Sequence, residues 1–157
     1  MTRSVLITGC SSGIGAALAA ELQQRDLRVY ATARREETLA PLAELGVHTL
    51  QLDVNDDDSI AAAMAGVQEE LGSLDILVNN AGFSQVGAVI DLERDDLRRQ
   101  YETNVIAPIA VTRAALPLLR ASEHPVIANV GSIVGLFTTP FAGAYCSSKA
   151  AIHSLSD

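Results

Sequence analysis

Cysteine is scarce in this sequence. Cys10 and Cys146 are the only two among 157 residues, too few for a disulfide framework. Positive charge is scarce as well: 11 Lys and Arg stand against 19 Asp and Glu, a net charge of -8. No basic stripe is available to neutralise a nucleic-acid backbone, so any phosphate recognition has to be local. Long apolar runs are missing, and nothing approaches the ~20 residues that cross a bilayer. The run Val5-Leu6-Ile7 reaches Gly9 too soon to form a signal-peptide core. His48, His124 and His153 have neither metal-ligand spacing nor cysteine partners, and they read as surface or packing residues. The expectation is a soluble, cytoplasmic protein of a reducing compartment, with no metal, no nucleic acid and no membrane among its partners.

What is plentiful is apolar residues: 48% of the chain, with a mean hydropathy of +0.23. That suffices for a core, and residues 1–157 read as one domain. Short β-branched runs alternate with helical stretches. Strands are expected over 4–8, 27–33, 48–52, 75–79 and 125–130. Helices are expected over 16–22, 36–45, 55–71, 94–104, 106–121 and on the last stretch, with Asn104 at a junction and Pro117 as a kink. Ser4 to Thr8 is short, apolar and rich in β-branched residues, as in a strand buried on both faces, and strand five reads the same way. The class is α/β with a parallel sheet and right-handed crossovers.

Several stretches carry chemistry. Thr8-Gly9-Cys10-Ser11-Ser12-Gly13-Ile14-Gly15 lies between the first strand and a strong helix. Glycines there let the backbone approach a pyrophosphate, and the helix N-terminus offers free N–H groups and a positive dipole end. The spacing Gly-x-x-x-Gly-x-Gly departs from the common Gly-x-Gly-x-x-Gly. At the end of strand two, where an acid would hold both ribose hydroxyls of NAD, stand Ala33 and then Arg34. An arginine fork suits a 2′-phosphate; equally, Arg34-Arg35 suits a solvated pair with Glu36 or Glu37. Asn55 to Asp58 read as helix caps. Asn79 can tie neighbouring strands, and the small residues after it leave room for a flat ring.

Tyr145 and Lys149, four residues apart, share one face of the last helix. A phenol is a poor acid or base near neutrality, its reference pKa being ~10, and a cation one turn away favours the phenolate. Such a tyrosine can exchange a proton with an alcohol or carbonyl oxygen.

Taken in order, Thr8-Gly9-x-x-x-Gly13-Ile14-Gly15, Asp53-Val54, Asn79-Asn80-Ala81-Gly82, Asn104, Ser132 and Tyr145-x-x-x-Lys149 resemble the short-chain dehydrogenase/reductase family, over the whole chain from Ser4 to Asp157. The resemblance implies a Rossmann-like, doubly wound sheet of order 3-2-1-4-5 around a dinucleotide. Gly9, Ser11, Ser12, Gly13 and Ile14 would face phosphates and ribose, and Asp53 and Val54 would flank the adenine. Asn80, Ala81 and Gly82 would lie near the nicotinamide ribose. Tyr145 would be the proton donor or acceptor, Ser132 would bond the same substrate oxygen, and Lys149 would hold the ribose and tune the tyrosine. Asn104 would position a water behind Lys149. The stretch Val29 to Arg34 looks like NADP-preferring members, so NADP(H) is expected ahead of NAD(H). The implied activity is hydride transfer between nicotinamide and a small alcohol or ketone.

Family members usually run longer, adding strands 6 and 7 and a mobile substrate loop. The chain is therefore expected to be C-terminally truncated relative to the family, with Asp157 at the unfavourable negative end of the last helix dipole. Phe83, Gln85, Val134 and Phe137 would line the near side of the substrate site. A complete family member would be a homodimer or homotetramer. The alternative is a non-catalytic NADP-binding or interaction module.

Overall fold

A computed structural model describes residues 2–156. Asp157, and with it the expected clash with the helix dipole, lies outside them. Five strands form one parallel sheet: β1 Ser4–Ile7, β2 Arg28–Ala33, β3 His48–Gln51, β4 Ile76–Asn79 and β5 Val126–Asn129. Their order is β3-β2-β1-β4-β5, the doubly wound arrangement. The helices are α1 Gly13–Gln24, α2 Ala40–Ala43, α3 Asp57–Leu71, α4 Arg94–Tyr101, α5 Ala107–Arg120 and α6 Gly143–Leu155.

The strand period of two sorts the core into two layers. Leu6, Tyr30 and Leu77 point to one face and meet Ile60, Met64 and Val67 of α3 and Val111, Ala115 and Leu118 of α5. Val5, Ile7, Val29, Ala31 and Val78 point to the other and meet Ala19 of α1 and Leu39 and Leu42. Four residues of β1 are buried, as expected of a central strand covered on both faces.

Caps set several boundaries. Asp56 accepts the N–H groups of Asp58 and Ser59 at 3.0 and 3.3 Å to start α3. Gly72, at φ 72°, closes it. At the amino end of the sheet Asp75 accepts the Ser4 N–H at 2.7 Å and the Ser122 hydroxyl at 2.6 Å. Burial pushes its carboxyl up, but the bonds from Ser122 and Ser4 outweigh it and hold the group below its ordinary range.

Three expectations need correction. The helix expected over 36–45 is a 3₁₀ turn, Glu36–Leu39, followed by the four-residue α2. Pro41 sits at the start of α2, where its missing N–H is harmless. The helices on either side of Asn104 are joined by a π-helical turn, Glu102–Ile106, so α4 and α5 run on through it. Finally, β5 is not buried on both faces: Val126 and Ile127 are 45% and 44% exposed. Among the described residues β5 pairs with β4 alone and forms one edge of the sheet.

Candidate active site

Because the strands are parallel, their carboxyl ends fall along one rim, which carries the glycine loop, Arg34, Asp53, Asn80 to Gly82 and Ser132. The loop is locked from beneath. Gly9 has φ +73°, and a Cβ there would lie 2.7 Å from the Ala81 Cα. A Cβ on Gly15 would lie 2.4 Å from Asn80 Nδ2 and 2.5 Å from the Gly9 carbonyl oxygen. Asn80 Nδ2 donates to the carbonyls of Thr8 and Gly9 at 2.8 and 3.0 Å. The Thr8 hydroxyl in turn accepts the N–H groups of Asn80 and Ala81, both at 3.0 Å. The Asn80 side chain is thus committed to holding the loop. Cys10 is buried beneath it, and desolvation pushes its thiol up to about 11 against a weaker pull from its backbone bond to Thr32. It is an unreactive packing group.

The upper side of the loop is open. Ser11, Ser12, Gly13 and Ile14 are exposed, Ile14 at 67%. The missing Cβ of Gly13 faces empty space, and Ser12 makes no side-chain cap bond to α1. An open N-terminus of a 12-residue helix under exposed glycine and serine suits a pyrophosphate. The residues present therefore fit a dinucleotide.

At the ends of β2 and β3, Arg35 pairs with Glu37 at 3.8 Å, both side chains about three-quarters exposed. Arg34 has no ion pair among the described residues, and its carbonyl accepts Gln51 Nε2 at 3.1 Å. Asp53 accepts the Asn55 N–H at 3.0 Å, an Asx turn that opens the way to α3. Val54 is buried in the core below the rim, so its side chain has little surface left for a ring.

The other half of the rim rests on α6. Lys149 is 7% exposed, and its ammonium donates to the Val130 carbonyl at 2.6 Å. It sits 5.9 Å from the centre of the half-buried Tyr145 ring. Desolvation lowers its pKa from the usual lysine range. Asn104, in the π turn, donates to the Phe83 carbonyl at 2.9 Å and to Ser148 Oγ at 3.1 Å, and accepts the Phe83 N–H at 3.1 Å. Its amide thereby joins α6 to the loop segment that leaves Gly82, and a Cβ on Gly82 would lie 3.1 Å from Asn104 Oδ1. Asn79 Nδ2 reaches Asn129 Oδ1 at 2.8 Å, tying β4 to β5 as expected.

Two residues of the site escaped the sequence. Gln100, fully buried, donates to the Phe83 carbonyl at 2.9 Å and accepts the Gln85 N–H at 2.7 Å, so it holds the expected substrate-side segment in place. Its one signal was an amide four residues before Asn104 on a charged helix. His153 also has more than a packing role: its Nε2 accepts the Ser132 N–H at 3.2 Å. Of the expected lining residues, Phe83 and Phe137 are exposed, while Gln85 and Val134 are half-buried.

A doubly wound parallel sheet with an open glycine loop at its switch point defines a dinucleotide-binding α/β domain. The family model for the short chain dehydrogenase matches residues 3–157, and the chain belongs to that family. It is 40% identical over 99% of its length to "Short-chain dehydrogenase ptmH" of Penicillium ochrochloron, covering 58% of that protein. It is 37% identical over 96% of its length to the "NADP-dependent 3-hydroxy acid dehydrogenase" of Schizosaccharomyces pombe, covering 61% of it. A metagenomic short-chain oxidoreductase, solved in complex with NADP, superposes with a TM-score of 0.90 at 31% identity, over 98% of this chain and 72% of that one. The chain thus spans about three-fifths of the length of the curated relatives named here.

Proposed function

We propose that this chain carries the cofactor site and the proton-transfer residues of an NADP(H)-dependent oxidoreductase that interconverts a small carbonyl compound and its alcohol. One observation carries the reading: a buried, partly desolvated ammonium, Lys149, lies over the ring of Tyr145 at the rim of a dinucleotide fold.

A bound nicotinamide supplies or accepts the hydride. The chain's own residues do the rest. The Tyr145 hydroxyl gives its proton to the substrate oxygen in reduction and takes it back in oxidation. Lys149 supplies a fixed positive field at the phenol, one that low local dielectric strengthens. Its anchorage on Val130 keeps the field on α6 when substrate changes. Ser132 Oγ accepts from the Val134 N–H at 3.4 Å, a long bond that leaves its own proton for the same substrate oxygen. The Asn104 amide fixes α6 against the 83–85 segment, so its part is positional; a water held behind Lys149 would have to bond its main chain.

NADP(H) preference rests on Arg34, without an ion pair among the described residues while Arg35 takes Glu37. The Schizosaccharomyces pombe relative and the metagenomic structure, both linked to NADP by name, support it. No helix is long and apolar enough to cross a membrane among the described residues. A cytoplasmic homodimer or homotetramer acting on small alcohols and ketones completes the reading. A second reading, an NADP-binding module without turnover, is favoured by the exposure of Ile133, Leu136 and Phe137 on the substrate side. A panel of ketones assayed with NADPH, beside a titration of NADPH binding, separates the two. Turnover selects the enzyme, and binding with no turnover selects the module.

A further inference from the structure

Tyr145, Lys149 and His153 follow one another at four-residue steps along α6. Helical geometry puts all three on one face. The last of them meets the loop that carries Ser132. Its Nε2 accepts the Ser132 N–H at 3.2 Å. A ring nitrogen that accepts an N–H has its lone pair free, so this contact uses the tautomer that carries its proton on Nδ1.

The loop is shaped around that ring. A Cβ on Gly131 would fall 2.4 Å from His153 Nε2, and one on Gly135 would fall 3.0 Å from Cε1. The Cβ on Gly135 would also meet the Lys149 carbonyl at 2.9 Å. Glycine on both sides of the serine is what lets the loop close on the imidazole and on the α6 backbone together. Between the two glycines Ser132 is extended, with φ -160° and ψ 147°. Nothing on its own side chain fixes the main chain firmly, since the bond to Val134 is long.

We propose that His153 is a positioning residue for Ser132. By accepting the serine N–H it holds the Ser132 main chain, and therefore its hydroxyl, against the helix face that bears Tyr145 and Lys149. The proposal rests on the oxidoreductase reading for its consequence in catalysis, but not for the contact itself.

The test uses two variants and two readouts. His153→Leu keeps bulk and removes the acceptor; His153→Gln keeps an acceptor at similar reach. Amide hydrogen exchange at Ser132 is followed by NMR, with β1 and β4 amides as the folding control. Turnover is measured on a ketone panel with NADPH. In His153→Leu, Ser132 exchange should quicken about tenfold, as for one lost hydrogen bond, while β1 and β4 amides stay unchanged. Its kcat should fall about tenfold with KM for NADPH unmoved, and His153→Gln should recover most of both. Unchanged exchange at Ser132 in His153→Leu overturns the proposal, whatever the turnover. Quickened exchange with undiminished kcat overturns it too. If wild type itself turns nothing over while His153→Leu still loosens Ser132, the contact is upheld and the oxidoreductase reading is what fails.

Discussion

The Lys149 ammonium and the Val130 carbonyl oxygen stand 2.6 Å apart, pinning α6 to the carboxyl end of β5. Besides this bond the cation faces the Tyr145 ring. No carboxylate pairs with it among the described residues. A buried cation with one neutral acceptor is a poor way to stabilise a fold. Its presence at the rim makes sense as chemistry.

Lys149 should therefore cost stability while it supports function. Its folded pKa is lowered by burial. Between that value and the unfolded ~10.4 the unfolded chain holds the extra proton, so stability rises with pH across this window and the penalty is fully present below it. Lys149→Met is expected to melt at or above the wild-type temperature at neutral pH, with NADPH binding and turnover both reduced. The wild type should close the gap as pH rises toward the lysine range. Thermal melts of both chains from neutral to alkaline pH check this, and a Lys149→Met chain several degrees less stable at neutral pH counts against it.

Tyr145→Phe separates proton transfer from packing. The ring is half-buried and the substitution keeps it, so the fold and the NADPH affinity should hold. Turnover on the best ketone should drop by about 10²–10⁴-fold, the usual contribution of a positioned acid or base. Most of the parent kcat surviving would remove Tyr145 from the reaction.

Much of this site was legible because the needed residues sit at fixed offsets from local signals. The five strands, the glycine loop and the Tyr145–Lys149 pair follow from short apolar runs, turn residues and one helical spacing, whereas the strand order is what the family resemblance implies. What stayed hidden depends on partners far away in the chain. Gln100 and His153 acquire their roles from Phe83 and Ser132, 17 and 21 residues distant. The π turn at Glu102–Ile106 leaves no mark in composition, since one extra residue in a helical turn changes no residue type. The exposure of β5 is hidden for a similar reason: Val-Ile-Ala reports apolarity, not whether a neighbour covers it.

The glycine loop offers a steric test. Gly15→Ala puts a methyl group within 2.5 Å of the Gly9 carbonyl oxygen and 2.4 Å of Asn80 Nδ2. Either the loop or the Asn80 clamp has to move, at a cost of roughly 1–3 kcal/mol for overpacking. The expected outcome is a lower melting temperature together with weaker NADPH binding. Gly13→Ala meets no neighbouring atom, so its penalty should come from the left-handed backbone alone and be smaller in melting than that of Gly15→Ala. Equal melting of the two variants would mean the close approach at Gly15 is easily relaxed.

Cofactor choice tests Arg34. A charge-assisted bond to a 2′-phosphate is worth about 1.5–3 kcal/mol, and a neutral ribose hydroxyl gains less from the same arginine. Arg34→Ala should raise the Kd for NADPH about tenfold or more while moving the Kd for NADH little. Arg35→Ala, which breaks only an exposed pair with Glu37, should leave both nearly unchanged. Calorimetric titration of the three chains with both cofactors decides it, and wild type binding NADH as tightly as NADPH would end the assignment.

The edge strand makes the last prediction. Val126 and Ile127 are 45% and 44% exposed on β5, whose second side has no strand partner among the described residues. Unpaired N–H and C=O groups beside exposed apolar side chains are a template for pairing with another chain. A lysine at such an edge opposes that pairing by charge and by the cost of burying it. Residues 1–157 should therefore self-associate, and Ile127→Lys should shift sedimentation toward smaller species. Because Ile127 is already half open to water, the substitution should move the melting temperature far less than one in the core. Val5→Lys, on a strand buried on both faces, is the contrast and should not fold. If Ile127→Lys melts like wild type and sediments identically, the β5 edge is not where the chains meet.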